Sequence, residues 1–425
     1  MSILTATLSG HASEADAATP FLTPSTTSIL TVVIPALNEE ESIGSTIQRC
    51  LGARDLICRV GGVADIEIIV VSDGSTDRTV PIAQECAARD HRVKVIVFEQ
   101  NRGYGAAIKE GFAQGRGDLV SFLDADGTCD PSYFGKLCQA LHTENAAIAV
   151  GSRMQPGNQM PRVRRIGNSL YAFLLGCLSG KAVTDTASGM RVLRREALHA
   201  VYPLPDGLHF TPAMSARAVM SDQRIVEVPM AYAERTGESK LRVLRDGFRF
   251  LFAIRDAALL YQPGRMLGLA AATCIAAGVV WSSYPVEFYW RTHSLEEWMI
   301  YRLLLCGLLF DSAFVFLCGA VLGERILSLV HHRSNTSFIA ALFDRLLHRS
   351  RLMIVAVAAA ITALILVWPG LVQYVETGRV TIHWSRPMAA VFLLQISAFA
   401  VVCIVLQKIV ELWTEQLKYA GRRAQ

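Results

Sequence analysis

Short apolar runs alternate with longer polar and mixed segments up to about residue 262. Five of these runs have the length of a β-strand, and they lie at residues 29–34, 66–71, 93–98, 119–123 and 146–150. Segments of helical length separate them, a spacing typical of a parallel sheet with helices on both faces. Polar residues follow each run, and in such sheets ligands bind along the carboxyl ends of the strands. The pattern predicts an α/β domain with a site at that edge.

Four longer apolar segments follow, at about 266–281, 299–322, 352–372 and 387–406. Because about 20 residues cross a bilayer, we expect four transmembrane helices. Between the two regions, residues 241–260 place apolar side chains on one side at helical spacing. Arg242, Arg245 and Arg249 lie beside them. This pattern predicts an amphipathic helix on an anionic membrane surface, with a solvated helix packed on the domain as the alternative.

The predicted organisation has four parts. They are a flexible tail at 1–28, the α/β domain at 29–240, an interfacial helix at 241–264 and a transmembrane domain at 265–425. Arginine is concentrated in the loop 324–351, whereas the loops 285–298 and 373–386 carry one and two arginines and no lysine. The positive-inside rule therefore places the α/β domain, both termini and the loop 324–351 in the cytoplasm. Asp311 lies inside the second span, where we expect it to face and pair with another helix.

Composition narrows the functional class. Hydrophobic residues make up 52% of the 425 residues, and the excess lies in the second half of the chain. The net charge of +4 is too small to indicate binding to nucleic acid. The ten cysteines form no C-x-x-C pair, which favours buried free thiols over a zinc site or a disulfide framework.

Asp124 and Asp126 are the strongest candidates for chemistry, because they directly follow the fourth apolar run. Two close carboxylates repel each other, and a hard divalent cation with oxygen ligands is their natural partner. Such a cation would in turn hold phosphate oxygens. The alternative is a polar turn whose aspartates cap the next helix.

Seven short motifs, in this order, resemble those of glycosyltransferase family 2, in its dolichyl- and polyprenyl-phosphate sugar transferase branch. They are Val32–Glu39, Ser72–Asp77, Asn101–Gly105, Asp124–Gly127, Gly151–Arg153, Asp185–Arg191 and Gly237–Leu241. The similarity covers roughly residues 30–262. The resemblance implies a GT-A, Rossmann-like fold for the cytoplasmic domain, followed here by the four-helix transmembrane bundle.

The resemblance also implies roles for individual residues. Pro35, Asn38, Glu39 and Asp73 would line the nucleoside pocket. The stretch Asp124, Ala125 and Asp126 would bind the donor diphosphate, with Asp124 and Asp126 holding Mg²⁺ or Mn²⁺. Arg153 and Arg164 or Arg165, with Asn168 or Ser169, would receive the acceptor phosphate, and Arg235 and Lys240 would close over the donor. Asp185 would act as a base or an orienting group; a turn cap is its alternative, and plain positive-inside charge is the alternative for the arginines at 162, 164 and 165.

The implied activity is inverting, metal-dependent transfer of a sugar. The donor would be a GDP- or UDP-linked sugar and the acceptor a dolichyl or undecaprenyl monophosphate at the cytoplasmic face of the membrane. A processive polysaccharide synthase is less favoured, because the Gln-x-x-Arg-Trp motif does not occur in the sequence. A non-catalytic nucleotide-sugar-binding scaffold or a transporter would also be compatible with this layout, and homo-oligomerisation is left open. Two positions depart from the family pattern: Ser72 stands where an aspartate is usual, and Thr128 where a glutamine often supplies a further metal ligand.

Overall fold

A computed structural model of the chain describes residues 28–155, 160–231, 243–331, 345 and 347–423. Strands and helices alternate in its first part. The strands are β1 (Ile29–Ala36), β2 (Asp65–Asp73), β3 (Val93–Phe98), β4 (Leu119–Phe122), β5 (Ile148–Ser152), β6 (Arg191–Arg194) and β7 (Ile225–Pro229). The helices are α1 (Ile43–Gly61), α2 (Thr79–Arg89), α3 (Tyr104–Gln114), α4 (Tyr133–Thr143), α5 (Arg162–Ser179), α6 (Leu198–Val201), α7 (Phe210–Met220), α8 (Val243–Tyr261), α9 (Pro263–Thr292), α10 (Ile300–His331), α11 (Arg349–Thr377) and α12 (Ser385–Arg423).

The described strands form one sheet in the order β3-β2-β1-β4-β6-β5-β7. All five predicted strands are present, which confirms the α/β fold class. The sheet is mixed, whereas the spacing of the predicted strands is typical of a parallel sheet. β6 runs antiparallel to both β4 and β5 because it starts at their carboxyl edge, where Arg191 pairs with Phe122. The polar turn before β6 therefore lies beside the end of β4.

Apolar side chains cover both faces of the sheet. On one face, alternate residues of β1 such as Val32 and Ile34 pack in a buried cluster with Ile47 of α1 and Phe134 of α4. On the other face, Phe122 of β4 packs against Phe112 and Phe210, with ring centroids 6.3 and 5.9 Å away. These aromatic contacts fix α3 and the start of α7 under the end of β4.

The first helix begins later than the sequence suggests. The pattern places Asn38 and the acidic residues 39–41 at its start, but α1 begins at Ile43, and Ser42 and Ile43 donate backbone hydrogen bonds to the Glu39 carbonyl. Asn38 has a left-handed backbone with φ of 51°, which is incompatible with a helix start. The acidic residues therefore lie in the loop after β1.

The contacts divide the chain into two units. The first consists of Met1–Ser169, Val183–Met214 and Asp222–Asp246, and the second of Leu170–Ala182, Ser215–Ser221 and Gly247–Gln425. In the second unit, four helices of the described chain are long and apolar enough to cross a membrane: Pro263–Thr292, Glu297–Leu329, Arg349–Thr377 and Ser385–Gln416. They contain the four predicted segments, each extended at both ends. All ten cysteines are free; six are buried, and Cys177 is exposed.

Asp311 lies in α10 and is only 5% exposed, which agrees with the prediction that it faces the bundle. The predicted pairing is not present among the described residues, however. Neither carboxylate oxygen has a hydrogen-bond partner within the described part of the chain.

Candidate active site

Asp124 and Asp126 lie immediately beyond the carboxyl end of β4. The Leu123 N–H still donates to the Val33 carbonyl (2.9 Å), so the chain leaves the sheet just before the pair. Asp126 is buried, and its Oδ1 accepts hydrogen bonds from the Thr128 backbone N–H (3.1 Å) and hydroxyl (2.7 Å). Asp126 thus holds a local turn but does not cap the next helix, which begins at Tyr133. Thr128, at the position of the family's further ligand, is buried and donates its hydroxyl to this carboxylate.

Asp124 is held differently, by residues distant in sequence. Its Oδ1 accepts a 2.7 Å hydrogen bond from the Tyr104 hydroxyl at the start of α3. Its Oδ2 faces Gly189, where a Cβ added to the glycine would collide with the carboxylate. The glycine thus leaves a cradle that the carboxylate fills, at a point where the polar turn before β6 meets the end of β4.

Asp124 and Asp126 supply some, but not all, of the ligands that a divalent cation needs. Two carboxylates separated by one residue supply hard oxygen ligands. No cluster of three or more His, Cys, Asp or Glu side chains suited to a metal occurs in the described residues. A bound ion would therefore complete its coordination with oxygens from outside this set, such as donor phosphates and water.

Tyr104 is locked by its surroundings. Its ring packs edge-on against Phe210 at 6.5 Å, and the Gly103 N–H donates to Asp73 Oδ2 at 2.9 Å. Burial raises the pKa of the Tyr104 phenol well above its usual value, and the charge of Asp124 raises it further. At neutral pH the phenol is therefore protonated and acts as a donor.

Arg153 and Asp185 form a second charged feature, at the end of β5. The guanidinium binds the carboxylate in a two-pronged pair, with Nε–Oδ2 at 2.9 Å and Nη2–Oδ1 at 2.8 Å, and the Arg153 N–H adds a third bond. Asp185 is fully buried. Burial would by itself raise the pKa of Asp185, but the charge and hydrogen bonds of Arg153 outweigh that effect and hold it below its usual value. Asp185 is thus an ionised partner of Arg153.

The turn that carries Asp185 and Gly189 is fixed by contacts from two further side chains. Arg191 is fully buried and donates to the carbonyls of Ser188 (3.0 Å) and Thr186 (2.9 Å). Burial lowers the pKa of Arg191 to about 10, while Asp185 favours its charged form. Glu227 of β7 accepts hydrogen bonds from the backbone N–H groups of residues 184 and 185. Together these contacts set where Asp185 and Gly189 lie.

The residues expected to receive an acceptor phosphate lie at the start of α5. Asn168 is buried, accepts from the Thr186 N–H (3.0 Å) and donates to the Thr184 carbonyl (3.1 Å), so its amide also holds the polar turn. Arg164 and Arg165 are half-buried, Ser169 is exposed, and Arg165 donates to the Gln155 carbonyl. The structure brings Asn168 next to the turn of Asp185.

The expected nucleoside side lies at the ends of β1 and β2. Pro35 is buried in β1, and the Asn38 side chain accepts from the Thr76 N–H (2.9 Å), while the Glu39 N–H donates to Thr79 Oγ1 (2.8 Å). Asp73 is 4% exposed, and its carboxylate accepts from the N–H groups of Arg102 and Gly103. Ser72, which replaces the usual aspartate, is buried and donates to Ser75.

The glycines 103 and 105 do not form an anion site. The N–H groups of Gly105 and Ala106 both donate to the Asp206 carbonyl, at 2.6 and 3.2 Å. The N–H groups in the first turn of α3 thus already bind a carbonyl of the chain itself.

Two residues that the sequence predicted for the site are not described by the structure, and three described residues near the site had not been predicted. Arg235 and Lys240 lie outside the described residues. Sequence reasoning gave no role to Tyr104, Arg191 or Glu227. The first two stand inside recognised motifs, which was the available signal, whereas nothing in the sequence marks Glu227.

Comparison with known proteins identifies the same region. The family model for glycosyl transferase family 2 matches residues 31–202. A low-salt glycan biosynthesis hexosyltransferase Agl6 of Haloferax volcanii is 33% identical over 267 residues, covering 60% of this chain and 60% of that protein. The chain therefore spans less than two thirds of that relative.

Two further relatives are covered more fully. A dolichyl-phosphate hexose transferase of Haloferax volcanii is 33% identical over 213 residues, which are 50% of this chain and 86% of that protein. An undecaprenyl-phosphate mannosyltransferase of Micrococcus luteus is 34% identical over 222 residues, which are 49% of this chain and 86% of that protein.

Proposed function

The chain belongs to glycosyltransferase family 2, and from that premise we propose that it transfers a sugar from a nucleotide-diphosphate sugar to a polyprenyl monophosphate. Its sheet domain is the GT-A, Rossmann-like domain of that family, and four long apolar helices follow it. The names of two relatives specify dolichyl phosphate and undecaprenyl phosphate as their lipids. The observation that carries the proposal is the carboxylate pair Asp124 and Asp126 at the carboxyl end of β4.

The donor would bind along that edge of the sheet. We infer that Asp124 and Asp126 hold Mg²⁺ or Mn²⁺, which when bound offsets the negative charge that builds on the departing diphosphate. Ala125 lies between them, and the loops containing Pro35, Asn38, Glu39 and Asp73 would contact the nucleoside. Arg235 and Lys240 would add positive charge near the donor.

The acceptor would bind beside Arg153. An attacking phosphate oxygen is already anionic at neutral pH, so the reaction needs no strong base. The ion pair of Asp185 with Arg153 supports an orienting role for Asp185 over a role as base. Arg164 or Arg165, with Asn168 or Ser169, would supply further hydrogen bonds to the acceptor phosphate. Direct attack on the donor sugar predicts inversion of its anomeric centre.

The membrane placement has its own support. Along α5, exposed apolar residues recur at intervals of three and four: Val163, Ile166, Leu170 and Phe173. On α8, Phe248 and Phe252 are exposed, and Arg245 and Arg249 lie on the same helix. Apolar stripes flanked by arginine suit helices that lie on an anionic bilayer surface. We propose that this surface is cytoplasmic, because the loop 324–351 carries the concentration of arginine.

The test is sugar transfer by the purified full-length chain. It would be incubated with undecaprenyl or dolichyl phosphate and a panel of labelled UDP- and GDP-sugars, with Mg²⁺, Mn²⁺ or a chelator. We expect one donor to label the lipid in a metal-dependent reaction. Product NMR would show whether the anomeric configuration is inverted.

Matched variants make this test specific. Asp124→Asn and Asp126→Asn should each lower transfer on the order of 100-fold or more, the scale of losing one stabilising group in a transition state. Asp130→Asn alters an exposed acid in the same loop and should retain wild-type transfer. Full activity of both Asp124→Asn and Asp126→Asn would refute the proposed mechanism, and absence of transfer from every donor would favour a non-catalytic scaffold.

A further inference from the structure

Tyr104 is the side chain that fixes the orientation of Asp124. Its hydroxyl donates to Asp124 Oδ1 at 2.7 Å, and its ring lies edge-on to Phe210. Phe210 in turn lies edge-on to Phe122, the last residue of β4. The contacts therefore form a closed path from the end of β4 through two aromatic rings back to the carboxylate that follows the strand.

The backbone on both sides of Tyr104 is also clamped. The Gly103 N–H donates to Asp73 and the Gly105 N–H to the Asp206 carbonyl. A Cβ at Gly105 would lie 2.9 Å from the Phe210 ring, so residue 105 must be small for α3 to start this close to α7. The phenol is consequently delivered by rigid elements and has little freedom to swing away from Asp124.

Gly189 closes the opposite side of the carboxylate. Because its missing Cβ would collide with Asp124, the carboxylate is confined between the Tyr104 hydroxyl at one oxygen and the Gly189 backbone at the other. A hydrogen bond that fixes a ligating carboxylate contributes to metal affinity, and its loss typically weakens binding by about 10–100-fold.

We propose that Tyr104 is a positioning residue for the divalent cation: it holds Asp124 against Gly189 in the orientation that binds the ion. This inference rests on the proposed function, since it takes Asp124 as a metal ligand. Tyr104 itself would not touch the ion. Its removal should therefore change the metal requirement more than the rate with metal in excess.

The experiment measures Mn²⁺ binding directly, by the loss of the free-ion EPR signal. Mn²⁺ is titrated into the full-length chain in detergent in the presence of UDP and, separately, of GDP. Tyr104→Phe, which removes one oxygen, should weaken Mn²⁺ binding by about 10-fold or more. Tyr202→Phe removes the hydroxyl of another partly buried tyrosine and should bind Mn²⁺ like the wild type.

Two further variants alter the Asp124 carboxylate or its surroundings. Gly189→Ala disturbs the same carboxylate from the other side and should also weaken Mn²⁺ binding, and Asp124→Asn should remove most of it. In transfer assays, excess Mn²⁺ should restore Tyr104→Phe but not Asp124→Asn, a difference that a general loss of folding would not produce.

The outcomes separate the inference from its premise. If Asp124→Asn loses Mn²⁺ binding while Tyr104→Phe binds as tightly as the wild type, the positioning role of Tyr104 is refuted and the proposed metal site stands. If Asp124→Asn binds Mn²⁺ as the wild type does, or the wild type binds none, the metal assignment of the proposed function fails and the inference fails with it.

Discussion

At the scale of single residues, the site depends on charges that are buried and matched. Asp185 is fully buried, yet Arg153 and the backbone around it satisfy its oxygens. Arg191 is likewise fully buried and donates to the carbonyls of its own turn. Because an unpaired buried charge is costly, each of these groups constrains its partner, and the turn that faces Asp124 is held in one conformation.

The ion pair of Asp185 and Arg153 gives a prediction with a definite sign in pH. Asp185→Asn leaves Arg153 without its buried counter-charge, which should lower the free energy of unfolding by about 3 kcal/mol at neutral pH. The pKa of Asp185 is lower in the folded state than in the unfolded chain. The stabilisation by this ion pair is therefore fully present above the pKa of an aspartate in the unfolded chain, about 3.9. It is lost as the pH falls through the lower pKa that Asp185 has in the folded state.

Thermal unfolding of the full-length chain in detergent would check this. The difference in Tm between the wild type and Asp185→Asn should be constant from about pH 8 to 5 and should narrow only below about pH 4. Asp118→Asn, at an exposed acid, should unfold like the wild type throughout. A difference that already narrows near pH 6 would contradict the lowered pKa of Asp185.

At the scale of elements, the loops after β1 and β2 are joined by side-chain hydrogen bonds to backbone. Asn38 accepts from the Thr76 N–H, and its own N–H donates to Ser75. The Glu40 N–H donates to Asp77, and the N–H of the next residue, 78, donates back to Glu40. The two strand ends thus form one surface, on which the proposed nucleoside contacts depend.

Substitutions at Asn38 can test how the two loops are held together. They separate the contribution of its side-chain amide from that of its left-handed backbone. Asn38→Gly keeps the backbone conformation but loses the hydrogen bonds of the amide. This loss should lower the free energy of unfolding by about 1 kcal/mol. Asn38→Ala should lower the free energy of unfolding by about 1–2 kcal/mol more, because an alanine at positive φ adopts a strained backbone conformation. Thermal unfolding of both variants measures the two contributions.

Asn145 is the matched control, since it also has a positive φ, of 45°, and is exposed in the loop after α4. There, the glycine variant should unfold near the wild type, and the alanine variant should show the backbone cost alone. Equal stability of Asn38→Gly and the wild type would show that the amide contacts do not hold the two loops together.

At the scale of the whole molecule, a sheet domain of glycosyltransferase family 2 is followed by four helices able to span a membrane. Within α5, the exposed Val163 and Ile166 lie beside the proposed acceptor residues Arg164 and Arg165 and would bring them to a bilayer surface. A water-soluble donor and a lipid acceptor would then meet at one edge of the sheet. This arrangement requires the sheet domain and the loop 324–351 to lie on the same side of the membrane.

Topology is directly testable in the full-length chain. Epitope tags inserted after Ser294 and after Gly378 should be reached by antibody in cells with intact cytoplasmic membranes. Tags after Ser337 and at the C-terminus should be reached only after that membrane is permeabilised, as the positive-inside rule requires. Detection of the Ser337 tag before permeabilisation would show that the orientation in the membrane is opposite to the proposed one.

Much of the site could be located from the sequence because its signals are local. Asp124 and Asp126 follow a strand, and the strand is recognisable from its own few residues. The same holds for Asp73, the last residue of β2, and for Arg153, which follows β5. What each side chain contacts was not recoverable in this way: Asn168, expected at the acceptor, uses its amide to hold a turn 16 to 18 residues later.

The sequence by itself determined five of the described strands, the four apolar helices and the edge of the sheet where the polar residues collect, since each depends on periodicity or on neighbours along the chain. Only the tertiary structure decided that β6 runs antiparallel, that Arg153 pairs with Asp185 and that Asp124 lies between Tyr104 and Gly189. Such contacts join residues that are about 20 to 65 positions apart, so no local pattern encodes them. They follow from the packing of aromatic rings and the pairing of buried charges once the sheet has formed.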